Sequence, residues 1–232
     1  MMALESQLRS VAGVNSSAVD LVTSEIRRAV LTGALPAGEQ FSIRDLAAQL
    51  GVSHIPIREA LRRLESQGLI VLRQARSASV APLSSDDIAA IYRLRYRIEL
   101  PLAGASAGRH TPAEADRLGE LLEQIRDVDP EIAWQSHHDF HEALVHPAAN
   151  AWDYRMLDTL WHAAERYTHL VFEPMQVTEK ERRRRYETHR LLLDLTLADG
   201  ADAADAMADA LREHLAANEA RILDSIRAIE NP

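Results

Sequence analysis

The 232-residue chain has no cysteine, so disulfide staples and thiolate metal ligands are excluded and a reducing compartment is expected. Aromatic residues make up only 5% of it, while alanine and leucine abound, which favours helix over sheet. No stretch of eighteen residues is both apolar and uncharged, so no membrane span is expected. The N-terminus lacks a basic segment followed by an apolar run, so no secretory signal is expected and the expected location is the cytoplasm. Positive charge is also scarce: 26 Lys and Arg stand against 35 Asp and Glu, a formal net charge of −9. With 47% hydrophobic residues the chain can still bury a substantial core.

That charge is unevenly spread. Residues 1–82 hold nine Arg against seven acids, whereas the remainder holds 17 basic and 28 acidic side chains. Six Arg face three acids between Arg44 and Arg76. A local positive patch on an acidic protein is what phosphate binding requires.

The hydrophobic pattern divides the chain in three. Residues 1–16 show no periodicity and read as a flexible arm. Residues 17–82 read as three helices and a β-hairpin. Val22, Ile26, Ala29 and Val30 share one face of a first helix over 17–32, which Gly33 ends. A short second helix starts at the N-cap Ser42 and stops at Gly51. A third runs from Ser53 to Gly68, with Pro56 in the tolerant first turn. The β-branched runs Leu69–Leu72 and Ala78–Ala81 form the hairpin. Residues 83–232 contain helical patterns only, over roughly 84–108, 112–128, 131–146, 151–172, 178–198 and 202–229. Pro101 is expected to kink or break the first of these. The fold class is therefore mainly α: a winged helix-turn-helix followed by an all-helical bundle of six or seven helices.

The segment Ser42 to Ser53 is a short helix, a glycine turn and the start of another helix, the signature of a helix-turn-helix. On the third helix Ile57, Ala60, Leu61 and Leu64 make an apolar stripe. His54, Arg58 and Arg62 recur every four residues on a neighbouring face. That face is expected to enter the major groove, where the arginine fork takes guanine or clamps phosphate. Arg44 can reach the same groove, and Arg73 and Arg76 lie in the hairpin, where a wing meets backbone or minor groove.

Nine of the ten histidines lie in the acidic part. His137 and His141 are one helical turn apart, a spacing at which two imidazoles can share a divalent ion. His189 and His214 fall on two later helices and can converge with them inside a bundle. His141, Glu142 and His146 superficially suggest a zinc-protease motif. The second histidine comes five residues after the first, which rotates it about 140° around the helix. No nucleophile elbow is present, and no enzyme is expected.

From Ile26 to Leu83, through IRRAVLTGALPAGEQF, LAAQLGVS, IPIREALRRLESQGLI and SVAPL, the chain resembles the DNA-binding domain of the GntR family. The resemblance implies that Arg44, position 54 and Arg58 contact DNA. The family usually has Arg-Thr-Pro where His54-Ile55-Pro56 stands, and a glycine in the wing where Gln74-Ala75-Arg76 stands. Histidine cannot reproduce the arginine fork, so the operator is expected to differ. The second half resembles the FCD ligand-binding domain of the FadR branch, through RYRIELPLAGASA, DFHEALVHPAAN, HRLLLDL and LREHL. Metal-binding members typically use an Asp, a His four residues later and two further His. Those positions are His137, His141, His189 and His214, so His137 replaces the Asp, and Asp139 lies two residues off the face. Four imidazoles favour zinc or nickel. A small organic acid is the expected effector, with Arg95, Arg97 and Asn150 as candidate contacts. His162 and His169 are candidates to line the same cavity, and His110, His138 and His146 are expected at the surface. The expected whole is a homodimeric regulator acting as a repressor on a double-stranded DNA operator; the alternatives are a metal sensor and a metal-dependent hydrolase.

Overall fold

The computed structural model describes residues 17–73, 77–127, 129–172, 178–198, 200 and 202–230. Helix α1 spans Ala18–Leu31, strand β1 Gln40–Ser42, helix α2 Ile43–Leu50, helix α3 His54–Ser66, strand β2 Ile70–Arg73 and strand β3 Ser77–Val80. Six helices follow: α4 Ser85–Ser106, α5 Pro112–Gln124, α6 Pro130–Val145, α7 Ala151–Phe172, α8 Glu179–Thr196 and α9 Ala203–Glu230.

The first six elements share one core. The whole stripe Ile57, Ala60, Leu61 and Leu64 of α3 is fully enclosed, packed with Val22, Ile26 and Ala29 of α1 and Leu46 and Leu50 of α2. Ser42 starts α2 by accepting from the Asp45 amide at 3.0 Å. Gly51 ends it at φ 70, the left-handed conformation that glycine adopts without a Cβ penalty and that turns the chain into α3. The three strands form an antiparallel sheet in the order β1-β3-β2. β2 and β3 pair from Ile70↔Val80 to Arg73↔Ser77, which puts Arg73 at the wing end. Strand β1 was not anticipated, since three residues are too few to show an alternation; Phe41 ties it to the core opposite Ala78.

A second core fills the helical part, with Tyr92, Leu118, Phe140, Tyr167 and Leu211 among its enclosed side chains. Pro101 does not break α4, which continues to Ser106. The backbone bond that a proline lacks would have gone to Arg97, an exposed residue, while the residues around it pack against α9. One turn later Gly104 lets the two helices close: a Cβ there would sit 2.9 Å from the Ala204 carbonyl oxygen.

Helix α7 fastens the two parts together. The buried Arg166 guanidinium donates to the carbonyls of Ala81 at 2.8 Å and Pro82 at 3.2 Å in the connecting segment. Glu165 pairs with Arg27 of α1 at 3.7 Å. Charge-assisted bonds of this kind are worth about 1.5–3 kcal/mol. Arg166→Ala is therefore expected to destabilise the protein by about that much and to separate the single melt into two transitions in calorimetry. One unshifted transition would show that the clamp does not hold the parts together.

Candidate functional site

Two sites emerge. On the first, α3 presents its outer face. His54, Arg58 and Arg62 are all exposed along it, as is Arg44 at the start of α2 and Arg73 at the end of β2. Arg62 is paired with Glu59 at 3.1 Å, and Arg44 lies 3.9 Å from Asp45. Both pairs are open to solvent and are worth little, so phosphates can replace the carboxylates. Arg76 lies outside the described residues. Ile55 was passed over as a functional residue: at 74% exposed it is the most open large apolar side chain among the described residues, in the first turn of α3.

The second site lies inside the helical bundle. His137 and His141 project from α6, His189 from α8 and His214 from α9. One ligand atom from each lies within 4.8 Å of the others. The His189 and His214 rings are 4.7 Å apart, and His137 is 4.8 Å from His189. Their surroundings fix how the rings point. Glu99 on α4 accepts from His141 Nδ1 at 3.1 Å, and the Arg185 carbonyl accepts from His189 Nδ1 at 2.7 Å. Both Nδ1 atoms therefore carry a proton, which leaves each Nε2 to face other partners. The Nε2 atoms of His141 and His189 are buried and without a hydrogen-bond partner. Buried polar atoms are rarely left so, because desolvation without compensation costs about 1–3 kcal/mol. His214 Nε2 accepts from Asn218 Nδ2 at 3.3 Å.

The electrostatics suit neutral imidazole. Burial pushes the pKa values of His137, His189 and His214 well below the ordinary histidine value, and the neighbouring histidines push them further down. Burial raises the Glu99 carboxyl, but the Arg95 guanidinium and the His141 bond outweigh it and hold the carboxyl at about 2. Arg95 reaches Glu99 through two nitrogens, at 2.9 and 3.3 Å. The cluster therefore has the orphaned nitrogens, the ligating protonation state and the orienting outer contacts that a divalent metal centre needs, and its residues fit such an ion.

Beside it lies a cavity of about 40 Å³, lined by Arg95, Trp134, His137, His138, His141, Trp161, Ala164, Glu165 and Thr168. Arg95 is the one effector candidate on this lining. Arg97, two residues along α4, faces solvent. Asn150 is exposed and caps α7, its Oδ1 accepting from the amides of Trp152 at 2.8 Å and Asp153 at 3.3 Å. Asp139 is off the cluster, taken by Gln135 at 2.7 Å. His146 stands at the surface against Glu114, but His110 and His138 are half-buried, His110 against the Ala143 carbonyl of α6 and His138 against the Trp161 and His162 rings of α7. His162 meets His138 rather than the cavity, and the His169 side chain lies outside the described residues.

Residues 19–80 match the gntR family of bacterial regulatory proteins, and residues 87–217 match the FCD domain. The chain belongs to the GntR family. Among relatives of this GntR protein, the transcriptional regulator McbR of Escherichia coli is 27% identical over 200 residues, covering 84% of this chain and 90% of McbR. The regulator LutR of Bacillus subtilis is 25% identical, over 77% and 90% of the two chains. The solved structure of E. coli McbR/YncC superposes with a TM-score of 0.74 at 25% identity, covering 91% of this chain and 99% of that one. A putative GntR regulator from Rhodococcus sp. RHA1 shares the fold at a TM-score of 0.69. The protein is a DNA-binding transcription regulator of the GntR/FCD type and not an enzyme. No helix among the described residues is long and apolar enough to cross a membrane.

Proposed function

We propose that this regulator is a homodimeric repressor whose operator affinity is set by a small carboxylate bound beside a divalent metal ion. In this reading residues 17–82 bind DNA and residues 83–232 bind ligand and form the dimer. The observation that carries it is the pair of buried, unpartnered Nε2 atoms of His141 and His189 beside a cavity that Arg95 lines. His137, His141, His189 and His214 hold the ion, with zinc or nickel the best match to four imidazoles. When bound, the ion would supply a positive charge that attracts a carboxylate. Arg95 adds a charge-assisted bond to the acid. Sites for drug-sized ligands measure about 300–1,000 Å³, so a cavity of about 40 Å³ selects an acid of a few carbons.

The route to the DNA heads follows α7. Trp161, Ala164, Glu165 and Thr168 line the cavity, while Glu165 and Arg166 grip α1 and the connecting segment. An acid that favours one position of α7 therefore favours one placement of the winged domain. In a dimer, two α3 helices reach the half-sites of a pseudo-palindromic operator. His54, Arg58 and Arg62 face the bases, Arg44 the adjoining backbone, and Arg73 and Arg76 the flank.

Fluorescence anisotropy on the operator tests this, with a panel of short carboxylates added in the presence of zinc or nickel. One acid is expected to weaken binding about 5–150-fold. A response to metal alone, with every acid silent, would replace this reading by metal sensing. Arg58→Ala is expected to lose about 1–3 kcal/mol of operator binding. Unchanged affinity would remove Arg58 from the contact surface.

A further inference from the structure

A second group of ligating side chains stands apart from the four-histidine cluster. His138 on α6 and Asp158 and His162 on α7 each offer one ligand atom, and these atoms lie within 4.8 Å of one another. The two imidazole rings are 4.8 Å apart between centroids. Asp158 Oδ1 is 3.1 Å from His162 Nδ1 and 3.9 Å from His138 Nε2. Two ligand atoms at tetrahedral zinc bond lengths sit about 3.4 Å apart, so small side-chain movements bring this carboxylate and His138 to coordination distance. His162 Nδ1 also gives a 2.7 Å bond to the Asp158 carbonyl. Coordination through Nε2 keeps that bond as the orienting contact that ligating histidines usually have, and coordination through Nδ1 replaces it.

An ordinary Asp–His pair one turn apart on α7 accounts for Asp158 and His162. It does not account for His138, which comes from another helix and turns Nε2 toward the same carboxylate oxygen. The two imidazole side chains are only 15% and 16% exposed, whereas the carboxylate is 52% exposed. The group thus has two sheltered nitrogen donors and one open side for water ligands and ion exchange.

We propose that His138, Asp158 and His162 form a second divalent-cation site, taking a borderline ion such as zinc.

Zinc titration against a chromophoric chelator tests the site on the full chain. Wild type is expected to take about two equivalents, and His162→Gln to bind one of them at least tenfold more weakly, as loss of a ligand requires. Asp158→Asn, a change at a half-exposed position that leaves the core intact, is expected to lose the same equivalent. His189→Ala is expected to keep it and lose the other. Equal stoichiometry and affinity in wild type, His162→Gln and Asp158→Asn overturn the site. If His189→Ala matches wild type while the other two variants lose an ion, the four-histidine cluster fails and the second site stands.

Discussion

Replacing His189 with alanine is expected to abolish metal binding at the proposed four-histidine centre while leaving operator binding intact. His189 is 1% exposed, its Nδ1 is committed to the Arg185 carbonyl, and its Nε2 points into the cluster without a partner. Such a nitrogen is poised for an ion and for little else. Losing an outer-shell partner of a metal ligand already lowers affinity about 10–100-fold, and losing the ligand itself lowers it further. Elemental analysis of the purified protein should register the loss of about one ion per chain. Thermal shift gives an independent readout: an ion at a hundred times its dissociation constant stabilises by about 2.7 kcal/mol, and this part of the response to added zinc should vanish. Operator affinity in the absence of effector should stay within about 0.5 kcal/mol, because distant sites act independently and α3 belongs to a separate core. The acid response should disappear with the metal. Unchanged metal content in His189→Ala would sink the four-histidine centre.

What the sequence makes legible follows from range. Periodicity is a local property, so the buried stripe Ile57, Ala60, Leu61 and Leu64 and the exposed row His54, Arg58 and Arg62 can be read directly, and the fold bears both out. The His137–His141 pair is equally local. That His189 and His214 meet it is not local, since they come from α8 and α9; bundle geometry allows the meeting in advance, and the family resemblance selects it. The meeting of His138 with His162 has no sequence signal at all. It depends on how α6 lies on α7, which no spacing encodes. Asn150 is the opposite case. Asn150-x-x-Asp153 ahead of a helix is itself a capping pattern, and the backbone amides of α7 have the stronger claim on that side chain. Glu99 stands one helical turn after Arg95, a local spacing, but its role as the acceptor that orients His141 is not local, because that contact crosses 42 positions of chain. Pro101 shows where a local rule yields: tight packing of α4 on α9 outweighs one missing backbone bond.

The same Glu99 is where the largest loss of stability is expected. Its carboxylate is fully enclosed and holds both the buried Arg95 and His141 of the four-histidine cluster. Glu99→Ala leaves the guanidinium enclosed without its counter-charge and His141 without its acceptor. Removing one partner of a buried ion pair costs about 3–5 kcal/mol, which for a chain of this size lowers the melting temperature by roughly 6–20 °C. The double change Arg95→Met with Glu99→Leu eliminates the stranded charge and is expected to recover most of that stability. It should not recover the acid response, because Arg95 is the cationic side of the cavity. Differential scanning calorimetry of the three proteins separates these outcomes, and a loss below about 1 kcal/mol in Glu99→Ala would show that Arg95 finds another partner. The cavity supplies a sharper check. If a small carboxylate docks on Arg95, acetate can take the place of the missing side chain. Acetate should then raise the melting temperature of Glu99→Ala by more than that of wild type, where Glu99 already holds two of the guanidinium nitrogens and leaves only the rest of the group to an acid. No shift in Glu99→Ala would mean that the guanidinium is closed to a small acid and that the effector binds elsewhere.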